Sequence, residues 1–152
     1  MYEATLSPSM RYLVATDGST LGDEAVRYAA RQAAAFEATL VIAHVLTPDS
    51  ELIDGMLILP GEEAAVEEGD RVLSAARRVA ETVADEEGAD IDIETELLTG
   101  RPADAITAFA DESDADAIHV GHRGLSEERE QVVGSVAKSV VDKATVPVTV
   151  IR

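Results

Sequence analysis

Two glycine-containing segments near the end of the chain have the composition of an anion-binding site. The first is Gly121-His122-Arg123-Gly124, and after nine further residues it is followed by Gly134-Ser135. Glycine lets backbone N–H groups approach a phosphate closely, and a helix that begins at such a loop adds the positive end of its dipole. Ser135 supplies a hydroxyl donor at the same place. This spacing predicts a site for the phosphate of a nucleotide.

Apolar patterns on both sides of these glycines predict the elements that hold them. Ala117-Ile118-His119-Val120 is a short apolar run typical of a buried strand. Beyond the glycines, Val133, Val136, Val140 and Ala144 recur at helical spacing. The segment is therefore predicted to form a strand, a glycine loop and a helix.

The rest of the chain repeats this alternation. Tyr12 to Ala15 and Leu40 to Val45 are apolar runs predicted to be strands covered on both faces. In Ile91 to Leu98 apolar and acidic residues alternate, which predicts a half-exposed edge strand. Val146 to Ile151 is the last strand, also at an edge. Five strands alternating with four helices predict an α/β fold, a three-layer, doubly wound, Rossmann-like parallel sheet.

Helices are predicted between these strands. Thr20 and Asp23 are predicted to cap the first, the second runs from Glu62 to Glu87, and Pro102 begins the third. Residues 46–61, rich in proline and glycine, are predicted to be an irregular segment that either covers the site, contacts a partner or packs on the domain edge. The buried face of the first helix is predicted to consist of Ala25, Val26, Ala29, Ala33 and Phe36.

Length and composition restrict the class of protein. The 152 residues predict one domain, 10–152, after a loose tail, 1–9. The absence of cysteine excludes disulfides, thiolate catalysis and cysteine-ligated zinc. A net charge of −18 argues against partners with anionic surfaces, both nucleic acids and membranes.

The same composition predicts where the protein works. There is no charged-then-apolar leader and no apolar run long enough to cross a bilayer, so we expect a soluble, cytoplasmic protein. Of the 12 basic residues only Lys138 and Lys143 are lysines. We interpret this acidity as adaptation to concentrated salt, which screens self-repulsion; an ordinary acidic protein is the alternative.

Four parts of the chain resemble the universal stress protein family, in its ATP-binding branch. They are the pattern G-x2-G-x9-G-[S/T] itself, Val14 to Ser19, Gly100 to Ile106, and Val146 to Ile151. The resemblance covers roughly residues 11–152. It implies the strand order 3-2-1-4-5 and a homodimer formed through the final strand, Val146 to Ile151.

The resemblance also implies the ligand, which is ATP, or AMP or ADP, with Mg or Mn carried on the phosphates. In this topology ligands bind where the strand order reverses, beyond the ends of the first and fourth strands. Asp17 is placed there to meet the ribose or the cation, or simply to cap its own turn. Arg123 is either a phosphate partner or a surface charge. The residues expected to contact the nucleotide are Ala15, Thr16, Asp17, Val45, Val120, Gly121, His122, Arg123, Gly124, Gly134, Ser135 and Val136.

Two other functions are left open. Ala137, where ATP-binding relatives usually have a hydroxyl, and the acidic residues Glu127, Glu128 and Glu130 favour a nucleotide-free scaffold that binds proteins. A slow ATPase or adenylyl-transfer enzyme is the other alternative, although the sequence shows no lysine clamp, arranged base or nucleophile. His119 is predicted to be packed inside the sheet rather than to bind a ligand.

Overall fold

The computed structural model describes residues 10–46, 51–53, 56–58, 62–122 and 134–152. The predicted tail, residues 1–9, lies outside these ranges, as do Arg123, Gly124 and the acidic residues of the glycine loop. The elements in chain order are β1 (Arg11–Ala15), α1 (Thr20–Phe36), β2 (Thr39–Leu46), β3 (Glu51–Ile53), β4 (Met56–Ile58), α2 (Glu62–Glu86), β5 (Ile93–Thr99), α3 (Pro102–Glu112), β6 (Ala117–Gly121), α4 (Ser135–Lys143) and β7 (Val148–Ile151).

Five of the strands form one parallel sheet. Its order is β5-β2-β1-β6-β7, which confirms the predicted 3-2-1-4-5 arrangement of a doubly wound fold. β1 lies at the centre, and its last residue, Ala15, stands opposite Ala43 of β2 and Val120 of β6. β5 and β7 are the two edges, as the sequence predicted.

Helices cover both faces of this sheet, because its central strands are apolar on both sides. Val14 and Ile42 face α1 and α2 in a first core, whereas Leu13 and Val41 face α3 and α4 in a second core. The alternation continues along each strand, so neighbouring residues at a strand end point to opposite layers. The described helices include none that is long and apolar enough to cross a membrane.

The segment between β2 and α2 differs from the prediction. It was expected to be irregular throughout, but β3 and β4 pair as an antiparallel two-stranded sheet in which Leu52 lies opposite Leu57. Asp54-Gly55 stands between these strands, and Asp-Gly is a dipeptide typical of two-residue hairpin turns. The local hairpin signal was therefore present, although two three-residue strands are too short to give a visible apolar period.

Two details of α1 also correct the prediction. The residue that caps the helix is Ser19, one position before Thr20, and its Oγ accepts a hydrogen bond of 3.0 Å from the Gly22 N–H. Phe36 was expected on the buried face but is 59% exposed. Its ring still contacts the edge of the Tyr12 ring at 6.4 Å between centroids, so it covers the rim of the first core.

A polar contact between α3 and α4 helps to hold α4 in place. Lys143, in the last turn of α4, forms an ion pair with Asp104 in the first turn of α3. That hydrogen bond and charge lower the pKa of Asp104. Just beyond α4, the Thr145 hydroxyl donates to Asp111 at 2.7 Å. The two contacts fix the carboxyl end of α4 against α3, and so the direction in which its amino end points.

His119 is packed inside the sheet, as predicted. It is 3% exposed and lies between the rings of Tyr12 and Tyr28, at 5.7 and 5.9 Å between centroids. Burial lowers the pKa of His119, and its hydrogen bond to the Leu13 carbonyl offsets this only in part. The native state therefore keeps this ring neutral to a lower pH than the unfolded chain does.

We expect His119 to make the protein less stable in mild acid. Below the unfolded-state pKa of about 6.5, the unfolded chain binds a proton at this ring that the native state does not bind. The free energy of unfolding therefore decreases as the pH is lowered, by at most about 1.4 kcal/mol per pH unit, until the lowered native pKa is reached. Urea unfolding between pH 7 and pH 5 should show a shallower decline for His119→Asn than for the native protein. Equal slopes for the two proteins would contradict this.

Candidate functional site

The connections that follow the two central strands leave the carboxyl edge of the sheet toward opposite faces, and we refer to the place where they diverge as the crevice. After β1 the chain enters α1, which packs on the first core, whereas after β6 it reaches α4, which packs on the second. The strand order therefore reverses between β1 and β6. In doubly wound sheets this is where ligands bind.

An apolar wall lines the second-core side of this edge. Val45 and Val120 are 9% and 3% exposed, and both belong to the second core together with Ala137 of α4. Ala15 packs against the same cluster at the end of β1. Three of the residues that the sequence predicted to contact the nucleotide, Ala15, Val45 and Val120, thus share one face, next to α4.

The turn between β1 and α1 is held by its own side chains. The Thr16 hydroxyl accepts from the Gly18 N–H at 3.2 Å, and the Asp17 carboxylate accepts from the Ser19 N–H at 3.0 Å. Gly18 has a φ of +83°, which favours glycine. The alternative role considered for Asp17, capping this turn, is therefore confirmed, while its contact with a ribose or cation stays a prediction.

The described part of the first glycine segment, Gly121-His122, meets Gly134 at the end of β6. The His122 N–H donates to the Ile151 carbonyl of β7 at 2.8 Å, and the Gly134 N–H donates to the His122 carbonyl at 2.5 Å. These bonds bring the start of α4 directly beside the end of β6. They also use the His122 N–H inside the protein, so that group is not available to a phosphate.

Two helix starts face the crevice, and they differ in how they are capped. At α1 the Ser19 side chain caps the helix and Asp23 adds a negative charge in the first turn. At α4 the cap is Gly134, which has no side-chain cap, and the first turn carries no acidic residue. Ser135 and Val136 are exposed there. The dipole and first-turn amides of α4 are therefore better suited to an anion than those of α1.

Other binding features lie elsewhere or are not formed by the described residues. Within the described ranges, no group of three or more His, Asp or Glu side chains is arranged to hold a metal ion. A groove of about 300 Å³ lies between α1 and α2, away from the carboxyl edge of the sheet, and its lining includes Arg27, Arg78 and Thr82. It contains none of the residues predicted to contact a nucleotide.

Two residues that shape the site were not predicted from the sequence. Gly22 lies in the first turn of α1, where a Cβ would come within 2.5 Å of the Thr16 hydroxyl. His44, on β2, contacts the Thr16 carbonyl through ring nitrogen Nδ1 at 2.8 Å. Gly22 gave a weak signal as a glycine within a helix. His44 gave none, because its partner is 28 residues away in the chain.

Comparisons with known proteins agree with this fold. Residues 9–152 match the model of the Universal stress protein family. A universal stress protein of Methanocaldococcus jannaschii is 32% identical over 149 residues, which cover 93% of this chain and 81% of that protein. A universal stress protein solved in complex with cAMP is 32% identical, with a TM-score of 0.69 over 96% of this chain and 99% of the other. One from Archaeoglobus fulgidus in complex with dAMP is 30% identical, with a TM-score of 0.69 over 96% and 100%.

Proposed function

The chain belongs to the universal stress protein family, and we propose that it binds an adenine nucleotide, ATP or else AMP or ADP, as a regulatory ligand in a stress response. The observation that carries this proposal is the glycine-capped start of α4, held beside the end of β6 by the Gly134 N–H. Similar proteins solved with cAMP and with dAMP support the adenine part.

Each part of the nucleotide has a matching surface in the crevice. The phosphates lie at the start of α4, where the amides of Ser135 and Val136 and the helix dipole favour negative charge. The base lies along the wall formed by Ala15, Val45 and Val120, which are apolar and half-buried or buried. Asp17 is placed to meet the ribose, or a Mg or Mn ion carried on the phosphates.

Binding rather than turnover is the function that this arrangement supports. In known phosphoryl-transfer sites a lysine or arginine and a base or positioned water act on the terminal phosphate. One of the two lysines, Lys143, lies at the far end of α4 and is paired with Asp104 of α3. Ala137, whose missing hydroxyl favoured a nucleotide-free scaffold, is 2% exposed and packed in the second core. The lack of a hydroxyl at this position remains the feature that favours the scaffold.

The edges of the sheet favour a homodimer through β7. Exposed Glu94 and Glu96 lie on β5, at one edge, and discourage pairing with another chain. The other edge, β7, is formed by Val148–Ile151, which carries no charge. If a second copy pairs through its own β7, the twofold contact covers the β7 edge of each copy. A monomer by sedimentation equilibrium at high protein concentration would contradict this.

We expect the protein purified from its own cells to release an adenine nucleotide on denaturation, in close to one equivalent per chain. The purification needs molar KCl, because we infer from the net charge of −18 that the native state is adapted to salt. A melting temperature that does not rise with KCl concentration would contradict this inference of salt adaptation. Nucleotide-free protein should then bind ATP in titration calorimetry. Absence of both released nucleotide and binding heat would instead favour the scaffold.

A further inference from the structure

The His44 side chain joins the ends of β1 and β2 at the crevice. Its Nδ1 lies 2.8 Å from the Thr16 carbonyl oxygen, which belongs to the first residue after β1. A carbonyl only accepts hydrogen bonds, so Nδ1 must carry the proton and donate. The contact therefore requires a proton on Nδ1.

The ring of His44 is held in this orientation by close packing from α2. A Cβ at Gly69 would stand 3.5 Å from the His44 Cδ2 and 2.9 Å from the Leu46 Cδ2, so the helix backbone lies directly over this part of β2. Glycine at that position is what lets α2 approach so closely. Leu97 of β5 stands opposite His44 in the sheet, and its Cδ1 would lie 2.6 Å from the same Cβ at Gly69.

Within the described residues, two hydrogen bonds tie the turn after β1 to β2. One is the last backbone bond between the strands, from the Thr16 N–H to the Ala43 carbonyl at 3.0 Å. The other is the bond from the His44 ring to the Thr16 carbonyl. The Thr16 N–H and carbonyl flank its Cα, so together they set the direction in which the chain leaves the sheet toward Asp17.

We propose that His44 is a positioning residue for the adenosine part of the ligand. Its bond to the Thr16 carbonyl orients the peptide group that joins Thr16 to Asp17, and it sets the distance between that group and Val45, the next residue on β2. These two strand ends are the walls between which the proposed function places the base and ribose. The inference rests on that proposed function, but it assigns a role to a side chain outside the predicted contact set.

A pair of substitutions separates the positioning role from simple packing. In His44→Asn the side-chain amide replaces Nδ1 and keeps a donor for the Thr16 carbonyl, whereas in His44→Gln the amide replaces Nε2 and that donor is displaced. We expect His44→Asn to bind adenosine and ATP within about threefold of the native affinity, and His44→Gln to bind both about tenfold more weakly. Affinities are measured by titration calorimetry in molar KCl, at a temperature where circular dichroism shows each variant folded.

His119→Asn is the matched control. His119 also approaches a β1 carbonyl through Nδ1, at 3.3 Å from the Leu13 oxygen, but it lies in the middle of the sheet. This variant should change stability and leave both affinities unchanged. Equal affinities for His44→Asn and His44→Gln, or a loss for ATP alone, would overturn the positioning role. If the native protein binds neither adenosine nor ATP, the proposed function itself is contradicted. If the native protein binds both and the two His44 variants do not differ, only the positioning role of His44 is contradicted.

Discussion

Replacing Gly134 by aspartate is expected to weaken the binding of ATP and AMP about a hundredfold while leaving adenosine within about threefold of its native affinity. A capping side chain lies over the first amides of its helix and accepts their hydrogen bonds. Gly134 has a φ of −67° and a ψ of 161°, extended values that aspartate adopts without strain. The new carboxylate would therefore occupy, with the same charge, the place proposed for a phosphate.

Loss of affinity must be separated from loss of stability. Aspartate is a slightly better cap than glycine, by a few tenths of a kcal/mol, but Gly134 is buried and a buried carboxylate is costly unless it is hydrogen-bonded. Urea unfolding of Gly134→Asp is therefore measured beside its affinities for adenosine, AMP and ATP. Gly134→Asn, which is the same size but neutral, should lose less affinity than Gly134→Asp. Comparable losses for adenosine and ATP would indicate that the substitution damages the fold, and unchanged ATP binding would mean that the phosphates lie elsewhere.

Replacing Gly22 by alanine is expected to destabilise the protein by about 2 kcal/mol. Helix propensity alone predicts the opposite sign, a gain of about 1 kcal/mol for alanine over glycine. The added Cβ would come within 2.5 Å of the Thr16 hydroxyl and 3.2 Å of the Asp17 carboxylate. Thr16 is only 6% exposed, so the hydroxyl has little room to move aside. The turn that leads to Asp17 must shift, and nucleotide affinity should fall with it.

A double-mutant cycle with Thr16→Ala tests this mechanism. Removing the hydroxyl relieves the closest contact, so Gly22→Ala should cost at least about 1 kcal/mol less in the Thr16→Ala protein than in the native one, by urea unfolding. Gly69→Ala is the comparison within α2, since its Cβ would meet the ends of the flexible Leu97 and Leu46 side chains and should cost less. Additive effects of the two substitutions, or a stabilising Gly22→Ala, would show that the hydroxyl does not determine the strain.

The periodicity of hydrophobic residues in the sequence was sufficient to predict the layers of the fold. The continuous apolar run in β2 requires cover on both faces, and the structure places it next to the central strand. The acidic alternation in β5 suits a strand with one partner, and it lies at an edge. Such patterns report burial directly, because each position of a strand faces one side of the sheet or the other.

Contacts between distant polar groups could not be predicted in this way. Ser19 and Thr20 carry equivalent hydroxyls, and only the position of the Gly22 N–H in the folded helix decides that Ser19 is the cap. The bond from His44 to Thr16 depends on how two strands end beside each other. Neither contact leaves a periodic pattern in the sequence, so the glycines predict a candidate site but not the side chains that shape it.

The most direct test of nucleotide binding in this crevice is a crystal structure of the protein grown with ATP in molar KCl. We predict phosphate oxygens within hydrogen-bonding distance of the first amides of α4, and the adenine ring beside Val45. ATP bound in the groove between α1 and α2, or a crevice without nucleotide at a saturating concentration of ATP, would contradict the proposal.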